Sequence, residues 1–179
     1  MYDPCSAVNA EMDSSGDGFY TYEDAGWLKY AQAHVVAGFE QFASDWNLGH
    51  PNNPIGVGDL SQFGGAANFA RHPGAGHPGG VIIDMRPMRN DNVQAGTNFN
   101  DATYSRNLTA ELIRGLSGLA DVVSIRFNDP NIHDPKIVRD ADRFDPRTHR
   151  RLRAVHDNHL HVTFRRATPC PVNLNNIHP

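Results

Sequence analysis

The stretch DNHLHVTFR, residues 157–165, alternates side chains that need opposite surroundings, and it constrains the fold more than any other segment. Successive side chains of a strand point to opposite faces. Read as a strand, it sends Leu160 and Val162 into a core and places His159 and His161 together on the other face. VIIDMR (81–86) and DVVSIRF (121–127) read as further short strands. SRNLTAELIRGLSGLA (105–120) sets Leu108, Leu112, Leu116 and Leu119 at helical spacing behind Ser105, a suitable N-cap. The 16 glycines and 12 prolines crowd the connections, above all residues 49–80, which read as loop. Residues 128–155 are polar and helix-prone only in parts.

The amino-terminal part carries a different signal. DSSGDGFYTYED (13–24) offers oxygen ligands at the positions a calcium loop requires: Asp13, Ser15, Asp17, the Phe19 carbonyl, Thr21 and Asp24, with Gly18 at the sharp turn. It resembles a single EF-hand loop of the dockerin kind, with Asp in the last place. The alternative is an Asp/Ser/Gly turn that caps a helix. That helix is expected over residues 23–47, with Trp27, Leu28, Ala31, Val35, Phe39, Phe42 and Trp46 on its buried face and Glu23 and Asp24 in its first turn. His34 on this face reads as structural.

Bulk properties remove several classes. A net charge of −4 argues against a general nucleic-acid binder. No run of 18 apolar residues provides a transmembrane helix. The first residues lack a basic start and an apolar stretch, so no signal peptide is expected. The chain is then part of a longer protein or reaches its compartment by another route. Cys5 and Cys170 either pair across a long loop or remain thiols; neither lies in a CxxC, which leaves no cysteine metal site.

The chemistry concentrates in two places. HPGAGHPGGVIID (72–84) brings His77 in on a glycine-permissive turn and lets the following strand present Asp84. HDNHLH (156–161) adds three histidines. Mixed His/Asp ligation with a position left open suits a catalytic Zn²⁺. The HExxH of helical zinc proteases is absent.

The pattern H-x6-D followed far downstream by H-x-H resembles that of the zinc peptidase group uniting lysostaphin-type enzymes, D-Ala-D-Ala metallopeptidases and Hedgehog N-domains. Within it the chain is most similar to the penicillin-insensitive murein endopeptidases. IGVGDLSQFGG, RHPGAGHPGGVIIDMR, VSIRFNDPNI and HDNHLHVTFR followed by CP carry the similarity, over roughly residues 54–171. The chain departs from that pattern at Gly76, where a serine is usual before the histidine, and at VIID, where a small or polar residue and an aspartate usually precede the ligand.

The resemblance implies that His77, Asp84 and His161 bind zinc. It implies that His159 is the general base and that His156 assists near the oxyanion or holds the water network. With the short strands, it implies an α+β fold: a small, mainly antiparallel sheet carrying the zinc ligands, flanked by helices and long loops. One domain would span 1–179, with 54–171 the catalytic core and 13–46 an added calcium loop plus helix.

The activity implied is zinc-dependent hydrolysis of amide bonds in peptidoglycan stems or cross-links. It would act in a periplasm or outside the cell, by a secreted enzyme or a delivered antibacterial effector with a secretion-system or immunity partner. The rival is a non-catalytic, zinc-stabilised binding domain of the Hedgehog sort, which needs no His159. Arg71 and Arg86 flank the metal stretch and can hold a peptide carboxylate. Asp59 reads as an Asx turn, Asp157 as the start of a strand or a residue orienting the histidines, and His72, His133, His149 and His178 as residues without a role.

Overall fold

The structure, a computed structural model, describes residues 8–22, 28–65, 77, 79–140 and 156–167. Along these the elements are β1 (Val8–Glu11), β2 (Ser15–Gly16), β3 (Phe19–Thr21), β4 (Tyr30–Gln32), α1 (Ala33–Gly49), β5 (Ile55–Val57), β6 (Ile82–Met85), α2 (Arg106–Gly118), β7 (Val122–Arg126), β8 (Ile137–Val138) and β9 (Leu160–Phe164). Seven strands form one sheet in the order β2-β3-β5-β6-β9-β7-β8, and β1 pairs with β4 in a separate ribbon. The chain is therefore α+β, with a mixed, mainly antiparallel sheet: only β3–β5 and β7–β8 run parallel. Among the described residues, no helix is long and apolar enough to cross a membrane.

The centre of the sheet explains its two faces. Ile83 opposes Val162, which opposes Ile125, and all three are solvent-inaccessible. The neighbouring row is Asp84, His161 and Arg126. Strand alternation thus puts an apolar row on the core face and an ionisable row on the other. Burying each side chain of the apolar row contributes about 1.5–3 kcal/mol. A one-residue slip of β9 would drive His161 into the core, so the register that builds the core also fixes the site.

Helix α2 forms as its sequence predicts. Ser105 caps it, its hydroxyl accepting from the Leu108 amide (3.5 Å) and its carbonyl accepting from the Thr109 hydroxyl (2.8 Å). Leu112, Ile113 and Leu116 then join the core. The first helix differs from expectation. It begins at Ala33, not near residue 23, and has no acidic residue in its first turn. Tyr30–Gln32 is strand β4 instead, paired with β1, and Tyr30 also bridges Ser61. Leu28 and Ala31 are buried, as the helical spacing predicts, but ahead of the helix, Ala31 in β4 and Leu28 in the bend before it. Strand partners far away in sequence outweigh local helical periodicity here. Val35, Val36, Phe39, Ala43 and Trp46 form the true buried face, and Phe39 meets Phe19 edge-on.

Two stretches read as irregular in the sequence hold strands, β5 and β8, too short to show alternation. The 13–21 segment holds a β-hairpin: β2 pairs with β3 around Asp17–Gly18, and β3 runs parallel to β5. Asp24, Glu23, Trp27, Cys5, Cys170, Arg71, His72, Gly76, His149 and His178 lie outside the described residues.

Asp129 ties α2 to the loop after β7. Its inaccessible carboxylate accepts from the Tyr104 hydroxyl (2.8 Å), Arg106 Nε (2.8 Å) and the Asn131 amide (2.9 Å). Burial pushes its pKa up, but these three donors outweigh burial and hold it below the usual carboxylate value. A depressed folded pKa means that stability is present above the unfolded value, near pH 4, and is lost as pH falls through the folded one. In urea denaturation, Asp129→Asn is expected to cost about 3 kcal/mol at neutral pH. The gap to wild type should shrink below about pH 4; a gap unchanged by pH would contradict this linkage.

Candidate metal centre

One backbone carbonyl organises the site. The Asp59 carbonyl accepts from the Asp84 amide (3.1 Å) and from His77 Nδ1 (2.9 Å). The segment after β5 is held in turn by the Gly58 amide donating to the Asp84 carbonyl (2.8 Å). Ser61 completes the clamp: its hydroxyl donates to the His77 carbonyl and accepts from the Gly80 amide (3.0 Å). The chain can turn from His77 into β6 because Gly79 and Gly80 adopt φ of +80° and +62°, a region that side chains with a Cβ rarely enter. The IGVGDLS segment therefore acts mainly through its backbone, as a strand and clamp that aim His77 and Asp84 at one another.

His77 and Asp84 are almost completely buried, at 2% and 4% exposure. His77 Nε2 lies 3.4 Å from Asp84 Oδ2, His161 Nδ1 3.1 Å from Asp84 Oδ1 and His159 Nε2 3.8 Å from Asp84 Oδ2. Because a carbonyl only accepts, His77 Nδ1 carries the proton and Nε2 the lone pair. That lone pair faces a carboxylate oxygen, and two such acceptors sit stably together with a cation or proton between them. The ligand atoms of His77, Asp84 and His161 all lie within 4.8 Å of one another. Two imidazoles and a carboxylate are a donor set that fits a borderline divalent cation. The outer hydrogen bond from His77 to a carbonyl is the usual support of a metal-ligating histidine. These three residues would hold the ion.

His156 and His159 complete the constellation. Their ring centroids are 5.0 Å apart, and His156 is 5.3 Å from His161. His156 Nδ1 lies 2.8 Å from both carboxylate oxygens of Asp140. Asp140 is fixed by Asn128, whose Nδ2 donates to it (3.1 Å) and whose Oδ1 accepts from its amide (2.9 Å). Burial pushes the His156 pKa down, against the pull of Asp140. For Asp140 the hydrogen bonds from His156 and Asn128 outweigh burial and hold its pKa low. A neutral His156 beside an ionised Asp140 follows. His159 Nδ1 lies 3.0 Å from Asn158 Oδ1.

The site opens on a cleft of about 450 Å³ whose lining includes Tyr22, Arg86, Asn98, Asp101, Asn158 and His159. The Arg86 guanidinium stacks 3.9 Å over the Tyr22 ring, which lies against Gly58 where a Cβ would collide with it.

The three residues that the sequence offers as metal ligands, His77, Asp84 and His161, converge with the two it offers for catalysis, His156 and His159. Asp59 is buried and works through its carbonyl as well as lining the cleft. Asp157 accepts from Asn128 Nδ2 (2.8 Å) and so steadies the loop that carries the histidines. Arg86 is at the cleft; His34 Nε2 meets the Arg165 carbonyl (2.9 Å), a structural contact. Of the proposed calcium ligands, Asp13, Ser15, Asp17, Phe19 and Thr21 lie along the hairpin, and the Thr21 hydroxyl donates to the Ser14 carbonyl (3.0 Å). Asp13 and Asp17 belong to neither of the His/Asp groupings able to hold a metal among the described residues. Asp140 and Asn128 are the members that sequence reading misses; nothing in NDPNI or VRDAD marks them, since they reach His156 only through space.

No family model matches the chain, and no curated protein matches it significantly.

A divalent transition-metal ion at a hundred-fold excess over its Kd should stabilise the wild type by about 2.7 kcal/mol, or roughly 5–10 °C in Tm for a chain of this length. Asp84→Ala and His77→Ala should abolish the shift in differential scanning fluorimetry. An equal shift in those variants would place the ion elsewhere.

Proposed function

We propose that the chain is a zinc-dependent peptidase that hydrolyses amide bonds in the peptide stems or cross-links of bacterial cell wall. The observation that carries this reading is an extra imidazole, His159, in the wall of an open cleft, with the buried His156 ring 5.0 Å from it. A purely structural zinc site is closed by its ligands, whereas here His159 directs Nε2 toward Asp84 at the cleft wall while His77 and His161 approach Asp84 as well. The substrate class comes from the resemblance to murein endopeptidases, and action on the wall places the work in a periplasm or outside the cell.

A zinc ion at His77, Asp84 and His161 would supply Lewis acidity toward the scissile carbonyl and lower the pKa of the attacking water to about 7. The protein's own groups handle the protons. With Nδ1–H donating to the Asn158 side-chain oxygen, His159 keeps its lone pair on Nε2, where it accepts the proton of the attacking water and returns it to the leaving amine. His156 has its Nδ1 proton held by Asp140 and is neutral, so at Nε2 it accepts rather than donates. That suits holding the water in place better than donating to an oxyanion. Around these groups, the Arg86 guanidinium and the amides of Asn98 and Asn158 give the cleft the polar lining that a peptide backbone with free carboxylates requires.

His159→Ala should still bind zinc at Asp84 but lower the hydrolysis of cross-linked muropeptide dimers by about 10²–10⁴-fold, read as monomers by mass spectrometry. Folded, zinc-loaded wild-type protein that leaves both dimers and intact peptidoglycan uncut would sink the peptidase reading.

A further inference from the structure

Among the described residues the histidines form two metal-sized groupings rather than one. Besides His77, Asp84 and His161, the ligand atoms of His156, His159 and His161 also lie within 4.8 Å of one another. We infer that this all-imidazole grouping is a second, weaker site for a nitrogen-seeking divalent cation, and that filling it blocks His159.

The groups that hold these rings support this assignment. His156 is held at 2.8 Å from both oxygens of Asp140, the carboxylate–imidazole arrangement that fixes the tautomer of a metal-binding histidine and makes its other nitrogen more basic. Asp140 is itself locked by two hydrogen bonds with Asn128, and the His156 backbone amide also donates to it (3.3 Å). His159 has its Nδ1 against Asn158 Oδ1. Both rings thus present Nε2 as the lone-pair atom, and a planar donor with its proton held elsewhere is ready to ligate. Solvent reaches this grouping more easily than the first: the side chains of His159 and His161 are each 16% exposed, against 2% for His77.

Three features make the second site weaker. It shares His161 with the first, and a neutral imidazole has one lone pair to give, so with the first ion bound the second has His156 and His159 as its protein ligands. It has no anionic ligand of its own, and a second dication must settle near the first, whose charge repels it. Imidazole ligation selects Zn²⁺, Ni²⁺ or Cu²⁺ over the oxygen-seeking Mg²⁺ and Ca²⁺. The consequence for catalysis rests on the peptidase reading: a cation on His159 Nε2 takes the lone pair that would accept the water proton. Excess zinc then shuts the enzyme off through the same ring that makes it active.

The test is equilibrium dialysis of the full chain against rising ZnCl₂, with bound zinc read by elemental mass spectrometry and hydrolysis of muropeptide dimers followed in parallel. Wild type should fill one equivalent and then a second, weaker one, with MgCl₂ filling neither. His156→Gln and His159→Gln should each retain the first equivalent and lose the second. Asp140→Asn, which keeps every imidazole, should weaken the second by about tenfold and leave the first in place, and it carries the test if a Gln variant does not fold. Hydrolysis should peak at one equivalent and fall as the second binds. Saturation at one equivalent, or a second that survives both His→Gln changes, overturns the site. Hydrolysis undiminished at two equivalents overturns the block on His159. A second equivalent that binds wild type and is lost in the variants as expected, but with no hydrolysis at any loading, would uphold the second site and refute the peptidase reading instead.

Discussion

Everything at the centre of this molecule depends on a carboxylate in the wrong place for a carboxylate. Asp84 lies in β6, an interior strand, with 4% of its surface exposed. An ionised group taken that far from water is costly unless positive charge or donors surround it. The sheet places His161 directly opposite Asp84, the clamp after β5 brings His77 to it, and the turn before β9 brings His159. Three imidazoles around one carboxylate either share protons with it or share a cation with it. The tautomer set by the Asp59 carbonyl favours the cation, because it turns a lone pair of His77, not an N–H, toward Asp84.

The apolar row Ile83, Val162 and Ile125 is the other half of the same device. Core packing and site geometry use alternate residues of the same three strands, so anything that disturbs one disturbs the other. Strand pairing thus fixes Asp84 and His161 against each other, and the remaining histidines come from connections. His156 and His159 precede β9, and Phe99 and Asn128 hold that turn through the Asp157 and His156 carbonyls. Asp84 and His161 sit on strands whereas His77, His156 and His159 sit on connections, a common arrangement for a site that must be both precise and open.

Much of this was legible in the sequence. Period-two alternation in HLHVTF identified the face of β9, and the seven-residue spacing of His77 and Asp84 identified a turn and a strand that could face it. Ser105 and the leucines after it marked α2 almost to the residue. Other parts were hidden for physical reasons. Tyr30–Gln32 carries helical spacing yet pairs as a strand, since its partners at 8–11 and at Ser61 lie elsewhere in the chain. Strands β5 and β8 have three and two residues, too few for any period to register. The Asp59 carbonyl leaves no trace in the sequence because any residue has one. Asp140 looks like one more acid in a polar stretch until the fold sets it against His156.

The most direct test of the central claim is the zinc K-edge X-ray absorption spectrum of the protein loaded with one equivalent of zinc. Two imidazole nitrogens at about 2.0–2.1 Å and oxygen at about 2.0–2.2 Å are expected, with imidazole scattering lost in part in His77→Ala. A first shell containing sulfur near 2.3 Å, or a spectrum that His77→Ala leaves unaltered, would mean that the ion sits elsewhere and that Asp84 is balanced by protons alone.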